Sequence, residues 1–575
     1  MIETGKKSCT ELITQRLLLA IVSSVALQFF FVCCFVLFSN VSTDYARWLR
    51  ETWTTVTSLR MWAFLIVLSA VTVLHSFLCM RIYLHAPSYY KSRFAKLRAA
   101  LAIQNLSLRG LHVIIGGTLI WLHMSLTREK YSTLTTDCEH GTCLVEEYYF
   151  LLLSGLWSGL YFSVKNSNFN GKHFSFPIIP QTKFSQLRQR IYSILPMLIV
   201  SSIWSSLYNT IAYYFLGVYY RAALLSVTYM QIETEPLDTA SRLLSLMLML
   251  YLWLHQFMLM LTISSTYVLF EIYLTEWIPF KFGSGAYTTE SSELMLIDAL
   301  SMDKVPIMQH LGYLDLFTLA QKDKMRRNIL FTLSQPGGHP YNWNCVVEKC
   351  TGLINKFSSD INAVFVKSQD QPFCYRTSTL KATATVPLQQ TDRIYHMRKL
   401  VPDLTPVLTA ETVTIEAPCS SWSVQKFVKQ KQEAFVTYLF SKPIINYIFG
   451  EQDENKIRYI LLNGQLVIWA AEALSSLSVF SLSEDSYGIV QKDVATIINT
   501  LLSVKQTLDK LQKSTVLTRR IQADDKLIRE ILISLRSSIK RSLYRIVTNF
   551  EPYITDLALE PPAVEQLQSF LNYKE

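Results

Sequence analysis

The residues best suited to chemistry in this 575-residue chain are scattered histidines, two close cysteines and one glycine turn. The turn, SQPGGHPYNW (334–343), sets Gly337, Gly338 and His339 side by side, the types from which a phosphate cradle or a general base could be made. A phosphate loop needs a GxxxxGK[ST] or GxGxxG run behind a strand, and the sequence has neither here. A histidine base needs a nucleophile or carboxylate in a recognised arrangement, which the neighbourhood does not supply. Pro336-Gly337 instead suits a type II turn, with proline fixing φ at the second position and glycine supplying the positive φ of the third. Pro340 disfavours a helical His339, and Asn342 or Asn344 is expected to cap a helix running through VVEKCTGLINKF. Pro336, Gly337, Gly338 and Pro340 therefore predict a structural corner between helices.

Cys138 and Cys143, in TTDCEHGTCLVEE, could close a small disulfide around Gly141 if their loop lies in an oxidising space; otherwise they are two free thiols. No CxxC pair and no Cys/His set at metal spacing occurs, so neither a metal nor another cofactor is expected. His75, His112, His123 and His255 sit in or near long apolar runs. A proton relay among them would need an acidic partner within such a run, and none is there. They read as neutral rings hydrogen-bonded to a neighbouring helix.

The elements that carry these residues are apolar. Half of the chain is hydrophobic and its mean hydropathy is positive, which puts a membrane protein ahead of a soluble one. A bilayer core about 30 Å thick needs roughly 20 apolar helical residues. Four runs meet this without a single charge: Leu17 to Phe38, Met61 to Met80, Ile191 to Tyr220 and Leu243 to Phe270. Gly110 to Leu126, preceded by Arg109, and Tyr148 to Val164 are shorter. They predict two more spans, with a re-entrant or interfacial pair as the alternative. Gly155, Gly159 and Pro196 suit close packing or a break, but no paired discontinuous segments or inverted repeat mark a transporter. The first run is too long for the core of a signal peptide and reads as an uncleaved anchor.

Residues 1–270 hold 21 Lys and Arg against 12 Asp and Glu, whereas 271–575 are nearly balanced at 33 against 32. A nucleic-acid module would concentrate positive charge on a soluble domain, so no direct nucleic-acid partner is expected. The excess instead sets topology. The amino tail and the loops after spans two and four carry 14 Lys and Arg, the other side 7. Both termini are thus expected in the cytosol, with Cys138 and Cys143 in the lumen.

After Glu271 the pattern changes to amphipathic helices. HLGYLDLFTLAQKDKMRRNILF (310–331) places Leu311, Leu314, Phe317 and Leu330 on related turns, with Lys322, Lys324, Arg326 and Arg327 expected to face water. Periodicity fades over 366–421, rich in Thr, Ser, Gln and Pro, which reads as a flexible linker and a possible phosphorylation target. SSWSVQKFVKQKQEAFVTYLFSKP follows. Its aromatic and lysine pattern makes Trp422, Lys426, Phe427 and Lys429 candidates for a membrane interface, with packing inside the helical domain as the alternative. IRYILLNGQLVIWAAEALSSLSVFSL, DVATIINTLLSVKQTLDKLQ and DDKLIREILISLRSSIKRSLYRIV are three long helices by spacing. Arg536, Lys540, Arg541 and Arg545 near the end of the last read as a solvated face.

The fold class expected is all-α: an amino tail (1–16), six spans (17–270), a first cytosolic helical block (271–365), the linker (366–421) and a carboxyl-terminal helical domain (422–575). In that order of parts, the chain resembles the pore-membrane nucleoporins of the nuclear division cycle protein one family over nearly its whole length. SQPGGHPYNW (334–343) is similar to the family's turn, LVIWAAEALSSL (466–477) to its central helix, and SIKRSLYRIVTNF (538–550) with LQSFLNYKE (567–575) to its carboxyl end. The linker is short for an animal member, so sites housed there do not carry over. The resemblance implies a non-enzymatic scaffold of the nuclear pore complex. It would be seated in the nuclear envelope beside other pore-membrane proteins, and would support pore insertion and anchor soluble nucleoporins, including aladin and an inner-ring nucleoporin that itself touches membrane. The alternative is a polytopic reticulum enzyme or transporter, which would need intramembrane carboxylates or a reactive histidine.

Overall fold

A computed structural model describes residues 2–39, 44–84, 89–126, 134–138, 141–165, 176, 181–228, 231–232, 237, 239–282, 294–333, 338–369, 438, 442–450, 453–513 and 526–571. The chain divides into a large unit, residues 1–364 with 451–575, and a small one, residues 365–450. The expected linker and the candidates Trp422, Lys426, Phe427 and Lys429 lie in the small unit. Residues 370–437 are outside the described set. What is described of that unit includes the Pro443–Phe449 helix.

The fold is all-α. Each of the six expected spans is a helix: Ile2–Ser39, Leu59–Leu84, Ile103–Leu126, Glu146–Lys165, Lys183–Thr228 and Leu246–Leu274. Span five is the longest, 46 residues or about 69 Å at 1.5 Å per residue, so it reaches well beyond a bilayer core; Pro196 lies within it. Span six starts later than its apolar run suggests. The chain breaks at Leu244, and the Ser245 hydroxyl accepts from Leu248 N to cap a fresh helix. Span six is the hub and packs against all five other spans. Gln28 of span one donates to Thr262 O (3.0 Å) and Thr266 Oγ1 (3.2 Å), and Tyr83 of span two donates to Tyr267 O (3.1 Å). Spans three and four are the closest pair. A Cβ on Gly116 would strike Gly155 O, and one on Gly159 would strike His112 O, so glycine is what lets these backbones approach.

Six described helices are long and apolar enough to cross a membrane: five of the expected spans and Gly464–Glu484. Glu146–Lys165, diluted by serines, glycines and tyrosines, falls short on composition. It is nonetheless built into the bundle, against spans three, five and six. Gly464–Glu484 has the composition of a span, but about 67% of its apolar window is buried within the protein. Helices Pro306–Lys322, Asp453–Leu462, Gln491–Lys513 and Lys526–Phe550 surround it. It is the core of the carboxyl-terminal bundle.

A small three-stranded sheet was not anticipated. Strands Thr135–Cys138 and Gly141–Leu144 pair antiparallel, and Gln231–Ile232 adds in parallel, with Cys143 opposite Gln231. The short helix Tyr45–Val56, capped by Asp44, links spans one and two at the same end of the bundle.

Candidate functional site

The helix that follows the glycine turn is anchored by a tryptophan. Pro336 and Gly337 lie outside the described residues; Gly338 and Pro340 are half-buried and His339 is exposed. The next helix, Tyr341–Gln369, begins two residues earlier than a helix capped by Asn342 would and four earlier than one capped by Asn344. The Pro340 carbonyl accepts from Asn344 N at 3.0 Å, so Asn342 and Asn344 occupy the first turn, which corrects the expected cap. Trp343 is fully buried, and its Nε1–H donates to Asp493 Oδ2 at 2.9 Å across 150 residues. Sequence reading missed this anchor because Asp493 belongs to a distant helix, Gln491–Lys513.

Cys143 is buried and disulfide-bonded; the Cys138 side chain lies outside the described residues. The hairpin register sets Cys138 opposite Gly141.

The intramembrane histidines form two aromatic clusters. His75 and His112 gather with Phe162 around Tyr267, and His123 and His255 around Phe35. Their main hydrogen bonds do not go to neighbouring helices as expected. His112 Nδ1 meets Leu108 O (2.8 Å) and His255 Nδ1 meets Tyr251 O (2.7 Å), each a carbonyl four residues back in its own helix. That carbonyl is the nearest acceptor, so the ring nitrogen donates locally and the ring face packs outward. Among the described hydrogen bonds of these four rings, only that of His112 Nε2 reaches another span, 3.4 Å from the Tyr267 hydroxyl. No carboxylate joins either cluster among the described contacts, which leaves a proton relay without its acid.

Charge is concentrated at the two ends of the bundle, in pairs the apolar runs concealed. At one end Glu146 accepts from Arg221 Nη1, Tyr213 Oη and Leu237 N, each at 2.9 Å, and so ties spans four and five to the following loop. At the other, Arg190 of span five meets Glu271 of span six at 2.9 Å, and Arg16 donates to Leu274 O at 3.1 Å. Lys183 and Glu276 pair at 3.0 Å on the same side. A buried pair adds little over an apolar isostere, but losing one partner strands a charge at about 3–5 kcal/mol. Both pairs therefore lock helix register.

The basic loops and the carboxyl-terminal bundle share one end. Tyr89, after span two, lies 5.7 Å ring to ring from Tyr459. Phe176, between spans four and five, stacks on His310 (5.8 Å) and meets Trp469 edge-on (5.1 Å).

Within that bundle Arg326 and Arg327 do not face water as expected. The stretch splits into Pro306–Lys322 and Lys324–Leu330 at Asp323, which caps the second helix through Arg326 N. Arg326 makes a forked bond to buried Asp315 (2.8 and 2.6 Å) and holds Phe280 O at 2.7 Å. Arg327 is buried, forks onto Glu484 (2.9 and 2.8 Å) and lies over the Phe480 ring. Hydrogen bonds from Arg327 hold the Glu484 carboxyl below its usual range. The carboxyl-terminal arginines are partly absorbed too: Arg545 donates to Ser476 Oγ (2.7 Å) and Arg536 to Asp509 (3.0 Å), while Arg541 stays exposed. Trp343–Asp493 and Arg327–Glu484 thus join helices before the linker to helices after it.

The described residues thus form a bundle of apolar helices with a second, amphipathic helical bundle packed at one end of it. The model of the family described as Nucleoporin protein Ndc1-Nup matches residues 11–568. Nucleoporin NDC1 of Homo sapiens is 26% identical over 97% of each chain, and that of Danio rerio 26% over 99% of each. Nucleoporin Ndc1 of Drosophila melanogaster is 24% identical over 99% of each. With a family match that runs nearly from end to end, the chain belongs to the Ndc1-Nup family of nucleoporins.

Proposed function

We propose that the protein is the membrane anchor of a nuclear pore scaffold: its six spans fix it in the pore membrane while its carboxyl-terminal bundle holds soluble nucleoporins there and supports pore assembly. A nucleoporin is a structural component of the pore and not an enzyme, which sets aside the reticulum enzyme or transporter. Both termini face the cytosol and pore in this reading, since the end of the bundle that carries the carboxyl-terminal helices also carries most of the basic loop residues. Tethering raises the effective concentration of a weak partner at the membrane, so modest contacts build a ring. Aladin and an inner-ring membrane-touching nucleoporin are the partners the family resemblance suggests. Residues 366–421 act as a linker between helical blocks 271–365 and 422–575, Trp422, Lys426, Phe427 and Lys429 as a membrane-facing strip, and Cys138–Cys143 as a luminal disulfide.

The observation that carries the reading is the match over 11–568, which spans membrane and soluble halves together. A tagged full-length copy should stain the nuclear rim in puncta; diffuse reticulum staining would refute it. Tyr90→Cys and Asn170→Cys should label with an impermeant reagent when only the plasma membrane is opened, and Leu134→Cys should be protected. The inverse pattern would reverse the topology.

A further inference from the structure

The connection between spans two and three combines an unusual charge pattern with an unburied helix. No Asp or Glu occurs from Thr52 to Arg128, while Arg81, Lys91, Arg93, Lys96, Arg98 and Arg109 cluster in or beside the connection. The helix Arg93–Leu101 is held in place rather than loose. The Ser92 hydroxyl accepts from Ala95 N (3.1 Å), Asn105 Nδ2 donates to Ala99 O (2.6 Å), and Arg81 of span two donates to Gln104 Oε1 (3.2 Å). Yet the helix buries none of its own residues. Leu97 and Leu101, four apart on one face, are 56% and 62% exposed, and the ridge continues through Ile103, 85% exposed, onto the outer surface of span three. Lys96 and Arg98 are exposed on the other sides of the same turns. The Ala95 and Ala99 side of the helix is half-buried against span three, whereas the Leu97 and Leu101 side has no cover among the described residues, and a short helix with an exposed apolar face is marginal in water.

We infer that the Arg93–Leu101 helix lies in the headgroup layer, with Leu97 and Leu101 at the acyl boundary and Lys91, Lys96 and Arg98 binding the phosphates of anionic phospholipids. Two observations select lipid. The apolar ridge is continuous with a membrane-facing span, and the all-cationic rim complements an anionic leaflet. This goes beyond the anchoring role and rests on it only in that spans two and three cross the bilayer.

The test uses the full chain in vesicles with equal lipid composition in both leaflets, with an environment-sensitive probe on Leu97→Cys or Lys96→Cys. With about a third phosphatidylserine, the Leu97→Cys probe should shift to the blue and be quenched by shallowly brominated lipid, and the Lys96→Cys probe should not. Replacing phosphatidylserine by phosphatidylcholine, or introducing Lys91→Gln, Lys96→Gln and Arg98→Gln together beside Leu97→Cys, should cut quenching two- to fivefold. Water-exposed emission from both probes in phosphatidylserine vesicles would overturn the proposal and point to an acidic protein segment as the occupant. Quenching indifferent to lipid charge and to the glutamine variants would overturn the anionic assignment. Labelling of Tyr90→Cys in the same vesicles reports sidedness separately, so a wrong orientation is not confused with a wrong ligand. Size exclusion in detergent confirms that each variant keeps its fold.

Discussion

Span six and the Gly464–Glu484 helix are both long and apolar enough to cross a membrane, and each holds the centre of a bundle. Their surroundings differ. Span six is covered by helices whose outer faces are themselves apolar, such as span five with Ile203, Phe215 and Tyr219 exposed. Gly464–Glu484 is covered by helices with one apolar stripe, such as Lys526–Phe550, which buries Leu535, Ile539, Leu543 and Ile546 and turns charge outward. An apolar helix therefore does not disclose its own solvent; its neighbours do.

The sharpest way to test that contrast is a charge at the centre of the soluble core. Leu474→Asp places a carboxylate at a fully buried position and should cost more than about 4 kcal/mol. Limited proteolysis in detergent should then cut the carboxyl half while the spans stay intact; a protease-resistant carboxyl half would mean that Gly464–Glu484 is not surrounded by protein. Arg221→Met comes next, at about 3 kcal/mol, because it strands buried Glu146. Adding Glu146→Gln should restore part of the loss in thermal unfolding, since the stranded charge is gone and the amide oxygen still accepts from Tyr213 Oη, while the bond from Leu237 N to the second oxygen is lost. Gly159→Leu forces spans three and four apart at about 2 kcal/mol and should abolish disulfide trapping between cysteines placed across that pair. The last test concerns pH. Hydrogen bonds from Arg327 depress the Glu484 pKa, so its contribution is present above the ordinary carboxylate pKa and is lost as pH falls through the lowered folded value. Glu484→Gln should be less stable near pH 7 but show a shallower acid decline; identical acid profiles would sink the assignment.

What was legible in the sequence followed local rules. Uninterrupted apolar runs gave all six span helices, and three- and four-residue spacing gave the bundle helices. What escaped depended on partners far along the chain. Arg326 and Arg327 read as solvated because Glu484 is 157 residues from Arg327, and because nothing local says that Asp315 is buried. Glu146 and Glu271 lie just past the ends of the uncharged runs, and their arginine partners are 75 and 81 residues away, so no local pattern marks either pair.

The Phe176 ring, lodged against His310 and Trp469, has a mechanical consequence. A hinged tether would let the soluble half swing under load. With Phe176 packed into that half, a pull on the carboxyl-terminal bundle is passed directly to the apolar helices on either side of Phe176 instead of being taken up at a hinge.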